Sequence, residues 1–192
     1  MLALSFVRKG EKMEAVLARL LRLVRAQGVR LCCLSADKGF ASIAVFRLLR
    51  QRRIPYLIAL PARGGAGGIK QFFHGQRARR LRYTFNERNA APCSTEVVVV
   101  WREGKARARY FAYTVYRLGR SELSQVFEQY RRRFSIESGY RQAPQVRART
   151  SSRHPGLRVL LFGLAILLVN YRVLLWPQLR ERRLLRQPPA HP

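Results

Sequence analysis

The chain has 192 residues, with 38 Lys and Arg against 10 Asp and Glu, a formal net charge of +28 at pH 7. Hydrophobic residues make up 48 %, enough for a real core, which excludes a wholly disordered basic tail. The length suits one domain, or one domain with an insertion.

Leu2 to Val7 is a short apolar run ended by the turn RKGEK, and reads as a strand. Lys12 to Gln27 follows with Met13, Val16, Leu17, Leu20, Leu21 and Val24 at helical spacing, and Gly28 caps it. Val29 to Leu34 reads as a second strand, SADKGF as the turn after it, Ala41 to Arg53 as a second helix and Ile54 to Leu60 as a third strand. Strand, helix, strand, helix, strand implies an α/β domain with parallel strands and right-handed crossovers.

The pattern then changes. Pro61 to Gly68 is a glycine-rich loop without the GK[ST] ending of a phosphate loop. Glu96 to Trp101 and Arg107 to Tyr116 read as strands joined in a hairpin by Arg102 to Lys105. Between them and the loop lies QRARRLR, flanked by Phe72, Phe73, Tyr83 and Phe85. Ser121 is placed to cap a helix running to about Gln142, stopped by Ala143 and Pro144. A basic loop from Val146 to Gly156 leads to an apolar helix, Leu157 to Trp176, ended by Pro177. The expected division is 1–60 as the first part of an α/β core, 61–118 as a β-rich insertion, 119–178 as the second part of the core, and 179–192 as a basic disordered tail.

The uncharged run from Val159 to Tyr171 lies between Arg158 and Arg172. A membrane span needs about 20 residues, so this run reads as a core helix packed against a sheet, not a membrane-embedded one. The N-terminus has no secretory signal pattern.

Arginine dominates the basic side: lysine occurs only at 9, 12, 38, 70 and 105. Guanidinium groups pair bidentately with phosphate and stack on bases, which points to a nucleic-acid partner; a GC-rich genome enriches arginine equally well. Arg77, Arg79, Arg80 and Arg82, with Arg147, Arg149 and Arg153 in the later loop, form the candidate DNA-binding patch, or merely a solvated face. Cys32, Cys33 and Cys93 have no CxxC spacing, and His74, His154 and His191 are scattered, so neither a disulfide framework nor a zinc site is expected. Cys32 and Cys33 read as core residues of a reduced, cytoplasmic protein.

Asp37 is the only aspartate. It follows a buried strand and precedes a helix, at the edge where open α/β sheets bind ligands; it is equally a helix cap. Lys38 is placed to meet phosphate, Gly39 to permit the tight turn, and Phe40 to anchor the core. Tyr130, Arg133, Glu137 and Arg141 share one face of a helix, so one carboxylate sits between two guanidinium groups. The plain alternative is a solvated face of ion pairs. If Asp37 and Glu137 meet at one sheet edge, a third carboxylate would complete a site for two Mg²⁺ ions about 4 Å apart, suited to phosphodiester chemistry.

At these residues the chain resembles the DDE transposases of the bacterial and archaeal insertion-sequence type with a YREK signature. LCCLSADKGFASIAVFRLLRQRRIPYLIALPARG is similar to the segment carrying that family's second catalytic aspartate, here Asp37. YRRRFSIESGYRQ matches Y-x2-R-x3-E through Tyr130, Arg133 and Glu137, and RARTSSRHPGLRVLLFGLAILLVNYRVLLW resembles the stretch after the catalytic glutamate. The resemblance covers roughly residues 1 to 178. It implies a ribonuclease H-like mixed sheet with flanking helices, interrupted by a β-rich insertion. It also implies Asp37 and Glu137 as catalytic metal ligands and Tyr130, Arg133, Arg141 and Lys38 as supporting or phosphate-contacting residues. The implied cofactor is Mg²⁺ or Mn²⁺. The implied partners are double-stranded DNA, as element ends and target, and a second copy of the chain as a homodimer.

Two positions depart from the pattern. The signature's final basic residue falls on Pro144, and Arg141 is the substitute. No aspartate precedes Asp37, and Glu11 and Glu14 lie in a turn and a helix, poor stand-ins for the first catalytic aspartate. The expectation is therefore the C-terminal portion of such an enzyme, without the fold's first strands, with a metal site completed by a carboxylate absent from this chain, and weak or inactive alone. Two rivals remain: a non-catalytic basic nucleic-acid-binding protein, and a small membrane-associated protein using Leu157 to Trp176.

Overall fold

The computed structural model describes residues 3–62, 68–88, 90–103, 109–119, 123–133 and 144–184. The chain divides into two compact units, Leu2–Arg133 and Phe134–Pro192.

The first unit is a mixed α/β domain. Helix α1 (Met13–Ala26) leads to strand β1 (Leu34–Ala36), a 3₁₀ turn (Lys38–Phe40), helix α2 (Ile43–Gln51) and strand β2 (Tyr56–Ala59). A second 3₁₀ turn (Ile69–Phe72) precedes β3 (Arg79–Glu87), β4 (Ala90–Arg102), β5 (Arg109–Tyr116) and helix α3 (Leu123–Arg131). The five strands form one sheet in the order β1-β2-β5-β4-β3. Only β1 and β2 are parallel; β2–β5, β5–β4 and β4–β3 are antiparallel. The β-rich stretch therefore adds its strands directly to the α/β strands, with Tyr56 opposite Tyr116 and Ala59 opposite Tyr113.

Helices cover both faces. Leu17 and Leu21 of α1 and Ile43, Val45, Phe46 and Leu49 of α2 pack on Tyr56, Ile58, Val97, Val99 and Ala112. Val126 and Tyr130 of α3 pack on Leu57, Val98, Val100, Tyr113 and Val115 of the other face. Covered on both sides, β4 needs apolar side chains at odd and even positions alike, which explains the unbroken valine run 97–100. Each such burial stabilises by roughly 1.5–3 kcal/mol.

Local chemistry fixes the helix starts. Ser42 Oγ accepts the Val45 backbone N–H at 3.4 Å, and Glu87 of β3 accepts the Ile43 N–H at 2.8 Å, so a distant strand helps cap α2. At the end of α1, Gly28 adopts φ +70°, a left-handed conformation that favours glycine.

Several expectations are corrected. Residues 3–8 form no strand; no described strand lies beside them, and Phe6 and Val7 are exposed. The strand expected at Val29–Leu34 is shifted to Leu34–Ala36. Leu34 N–H donates to Pro55 O, and upstream of Tyr56 the proline has no N–H with which to extend the ladder. Cys32 is exposed and Cys33 half-buried, because the short β1 is an edge strand; only Cys93 is in the core. Within the stretch expected to be β-rich, QRARRLR runs into strand β3, with Leu81, Tyr83 and Phe85 facing the core.

The helix expected to run to about Gln142 ends at Arg131, with a turn at 132–133, and in the second unit residues 144–146 are helical, as a proline in a first turn allows. Helix α4 (Pro155–Leu184) continues through Pro177 into the segment expected as a tail. Its N-terminus is capped by His154 Nδ1, which accepts the Leu157 N–H at 3.4 Å. Ala165, Ile166 and Val169 are buried, but Leu160, Leu164, Leu167, Leu168 and Tyr171 form an exposed stripe. The stretch Pro155–Arg172 is long and apolar enough to cross a membrane by length and composition.

Candidate functional site

Asp37 stands at the carboxyl end of β1, where the chain leaves the sheet. Its side chain caps the 3₁₀ turn: Oδ1 accepts the Lys38 backbone N–H at 2.7 Å. The residue is exposed, and Oδ2 has no hydrogen-bond partner among the described residues. Phe40 packs against the core as expected. Gly39 has an ordinary negative-φ backbone and open space at its Cβ position, so the turn does not depend on a glycine there.

Lys38 lines a cavity of about 410 Å³ across the same end of the sheet. Its other walls come from the end of β2 (Ala59 to Ala62), from Phe73, from Tyr110 to Tyr113 at the start of β5, and from Tyr130 of α3. Two residues singled out on separate motifs, Lys38 and Tyr130, therefore meet in one cleft. The walls are aromatic pairs: Phe73 and Tyr110 stack with ring centres 5.3 Å apart, and Tyr113 and Tyr130 are tilted at 4.9 Å. Burial and the adjacent Tyr130 push the Tyr113 phenol well above its ordinary pKa, against a weaker opposing pull from Arg102, so it stays a neutral donor.

Tyr130 lies in the last turn of α3 and Arg133 in the turn just beyond, its N–H donating to Tyr130 O at 3.0 Å. The Arg133 guanidinium lies 5.2 Å from the Tyr130 ring centre. These two members of the expected helical face are thus side by side. Glu137 and Arg141, the other two, lie outside the described residues, as does Ser121.

Four of the other described carboxylates have a partner. Glu11 accepts the Arg8 N–H and pairs with Arg19; Glu87 caps α2; Glu96 pairs with Arg80 at 3.0 Å; Glu128 pairs with Arg102 at 2.6 Å. Asp37 holds only its own turn. A carboxylate with one oxygen free is the hard donor a Mg²⁺ or Mn²⁺ ion prefers. The described residues bring no group of three or more acidic, histidine or cysteine side chains together, so within them Asp37 is a single ligand that fits such an ion.

The arginine patch is not one surface. Arg80 and Arg82 of β3 share a face, since side chains two apart on a strand point the same way. Arg79 points to the other face and lies against the His74 ring at 2.9 Å, while Arg77 is exposed before the strand. The flanking aromatics are core: Phe72 packs on Tyr83, Tyr83 on Phe85, and Phe85 on Phe46. In the second unit Arg147, Arg149 and Arg153 are exposed ahead of α4, and Arg147 and Arg158 line a cavity of about 210 Å³. The sequence reading missed the aromatic walls from β5 and the arginines Arg50 and Arg117. The alternation in RYFAYTVY carried a signal for the former.

A five-stranded mixed sheet with an exposed aspartate at the carboxyl end of its edge strand, in a chain so basic, defines an α/β domain with an acid at that edge. Residues 2–171 match the family model of the transposase DDE domain, and the chain belongs to that family. No curated protein matches the chain.

Proposed function

We propose that this chain contributes to DNA transposition by metal-dependent phosphodiester cleavage and strand transfer on double-stranded DNA, on a ribonuclease H-like core of the insertion-sequence type. The observation that carries the reading is Asp37: exposed, with one free carboxylate oxygen, and followed directly by a lysine on the wall of the cavity that Tyr130 also lines. Asp37 and Glu137 would hold Mg²⁺ or Mn²⁺. The chemistry a divalent ion would supply there is activation of the attacking hydroxyl and stabilisation of the leaving oxygen. Lys38 and Arg133 hold backbone phosphates beside the acid, and the Arg133 guanidinium packs against the Tyr130 ring. Arg141, one helical turn after Glu137 in sequence, takes the place of the signature's final basic residue. Asp37 being the only aspartate, a site with two aspartates and a glutamate draws its further aspartate from outside these residues. Such an enzyme works in the prokaryotic cytoplasm, on the nucleoid.

The test is Fe²⁺-directed hydroxyl-radical cleavage of the polypeptide, which cuts the backbone beside a bound ion and needs no turnover. Scission is expected next to residue 37 and next to residue 137, both suppressed by excess Mg²⁺ and both lost in Asp37→Asn. Asparagine still caps the turn, so the variant keeps its fold. Scission that persists in Asp37→Asn, or that never reaches residue 137, overturns the reading.

A further inference from the structure

The sheet has a second charged site at its other end. β5 leaves the sheet after Tyr116, whereas β4 extends further, so Ser94 and Thr95 lie beyond its last pair with β5, Glu96 to Val115. The notch so formed has a volume of about 560 Å³ and is walled by Arg50, Arg80, Arg82 and Arg117, with Glu96 its one carboxylate. Because Tyr56 pairs with Tyr116 and Ala59 with Tyr113, the notch sits at the amino end of β2, opposite the end that carries Asp37 and Lys38.

We propose that this notch binds nucleic-acid backbone phosphates, as a contact separate from the metal end. Four guanidinium groups face one carboxylate, and that carboxylate is taken by Arg80 at 3.0 Å. Arg82 and Arg117 are exposed and have no acidic partner among the described residues. Two others hold the frame. Arg50 donates to Ser94 O at 2.8 Å, filling the place that β5 vacates, and its guanidinium lies 5.6 Å from the centre of the Tyr116 ring. Arg117 approaches the same ring at 5.6 Å, and Tyr116 is itself stacked on Tyr56. Arg117 also has φ +52°, a left-handed backbone unusual for arginine, which turns the chain out of the sheet just where its side chain reaches the notch.

Four cations gathered around one concavity with a single carboxylate repel one another; a run of phosphates removes that repulsion and matches the planar forks of the guanidinium groups. A phosphodiester chain, with a charge at every nucleotide, answers several arginines at once, which a single small anion does not. Arg82 and Arg117 are then the phosphate ligands, and Arg50 and Tyr116 the platform that positions them.

This inference rests on the proposed DNA substrate but not on the metal site, and its test separates the two. Binding of a fluorescein-labelled DNA duplex is followed by anisotropy in EDTA across a salt series of about 50 to 200 mM. Each phosphate contact contributes about 0.9 to the slope of log K against log salt, so Arg82→Gln with Arg117→Gln should flatten the slope by about 1.8. The comparison is Arg22→Gln with Arg25→Gln on the exposed face of α1, which removes equal charge elsewhere. Matching urea midpoints show that each variant is folded. Flattening confined to the notch pair supports the inference, even if radical scission at residue 37 fails. Equal slopes for the two pairs, or no duplex binding by the parent chain, overturn it, even if the scission result holds.

Discussion

Strand β5 carries cavity residues at one end and notch residues at the other, so its register decides whether both sites exist. A one-residue slip would turn Tyr113 away from α3 and bring Tyr116 off Tyr56. Three hydroxyls buried in the sheet fix that register. Tyr56 OH lies 3.4 Å from Thr95 Oγ1, Thr95 Oγ1 lies 2.9 Å from Thr114 Oγ1, and Thr114 Oγ1 donates to Glu96 O at 3.3 Å. One proton order satisfies all of them: Tyr56 donates to Thr95, Thr95 to Thr114, and Thr114 to the carbonyl. All three residues are at most 2 % exposed, so water cannot replace a lost partner. Thr114→Val keeps the shape but leaves the Thr95 hydroxyl without an acceptor, and should cost about 1–3 kcal/mol. Replacing the whole chain, Tyr56→Phe with Thr95→Val and Thr114→Val, strands no donor and should recover most of that loss. Urea unfolding followed by circular dichroism, with midpoints compared at constant slope, measures both. If the single variant is as stable as the parent, or the triple variant loses the sum of its single costs, the hydroxyls are not a coupled chain and this account of the register is wrong.

Two further outcomes follow from the ionisable groups. The Arg8 backbone N–H and the Arg19 guanidinium hold Glu11 below its ordinary pKa. Its contribution is therefore present above the unfolded value and disappears as pH falls through the lower folded value, so the stability gap between the parent and Glu11→Gln should close over that acid window in urea titrations. Burial, and secondarily Cys32, raise the Cys33 pKa. Iodoacetamide should therefore modify the exposed Cys32 first, reach Cys33 only as pH rises, and leave buried Cys93 intact, as peptide mass mapping would show.

What the sequence discloses depends on how local the cause is. Helices α1 and α2 are written in their own apolar spacing, and β4 in a valine run that only a strand covered on both faces needs. Asp37 is legible because an apolar strand segment, a turn and a helix follow one another within a few residues. The region of β3 was legible as β-rich but its bounds and inward face were not: its arginines mask the alternation of Leu81, Tyr83 and Phe85. Leu2 to Val7 has the composition of a strand, but a ladder needs a neighbour, and composition does not say whether one is there. The exposed leucines of α4 raise the same problem for a helix. The notch was beyond reach. Arg50 and Arg117 are far apart in the chain, and they meet only because β2 pairs with β5 in one particular register.

That pairing also separates two kinds of chemistry. β1 and β2 run parallel, so their carboxyl ends gather Asp37, Lys38 and the cavity at one edge. β5 runs against β2, so its own carboxyl end delivers Tyr116 and Arg117 to the opposite edge. Charge follows the same division. Asp37, with its side chain bonded only within its own turn, stands at one end, and a surplus of guanidinium groups around a single paired carboxylate stands at the other. A chain of +28 pays for compactness in self-repulsion, and a polyanion lying along both ends of the sheet relieves it. The acid that would hold a metal and the arginines of the notch thus lie at opposite ends because β5 runs against β2, so the notch adds cations for the same substrate without crowding the carboxylate.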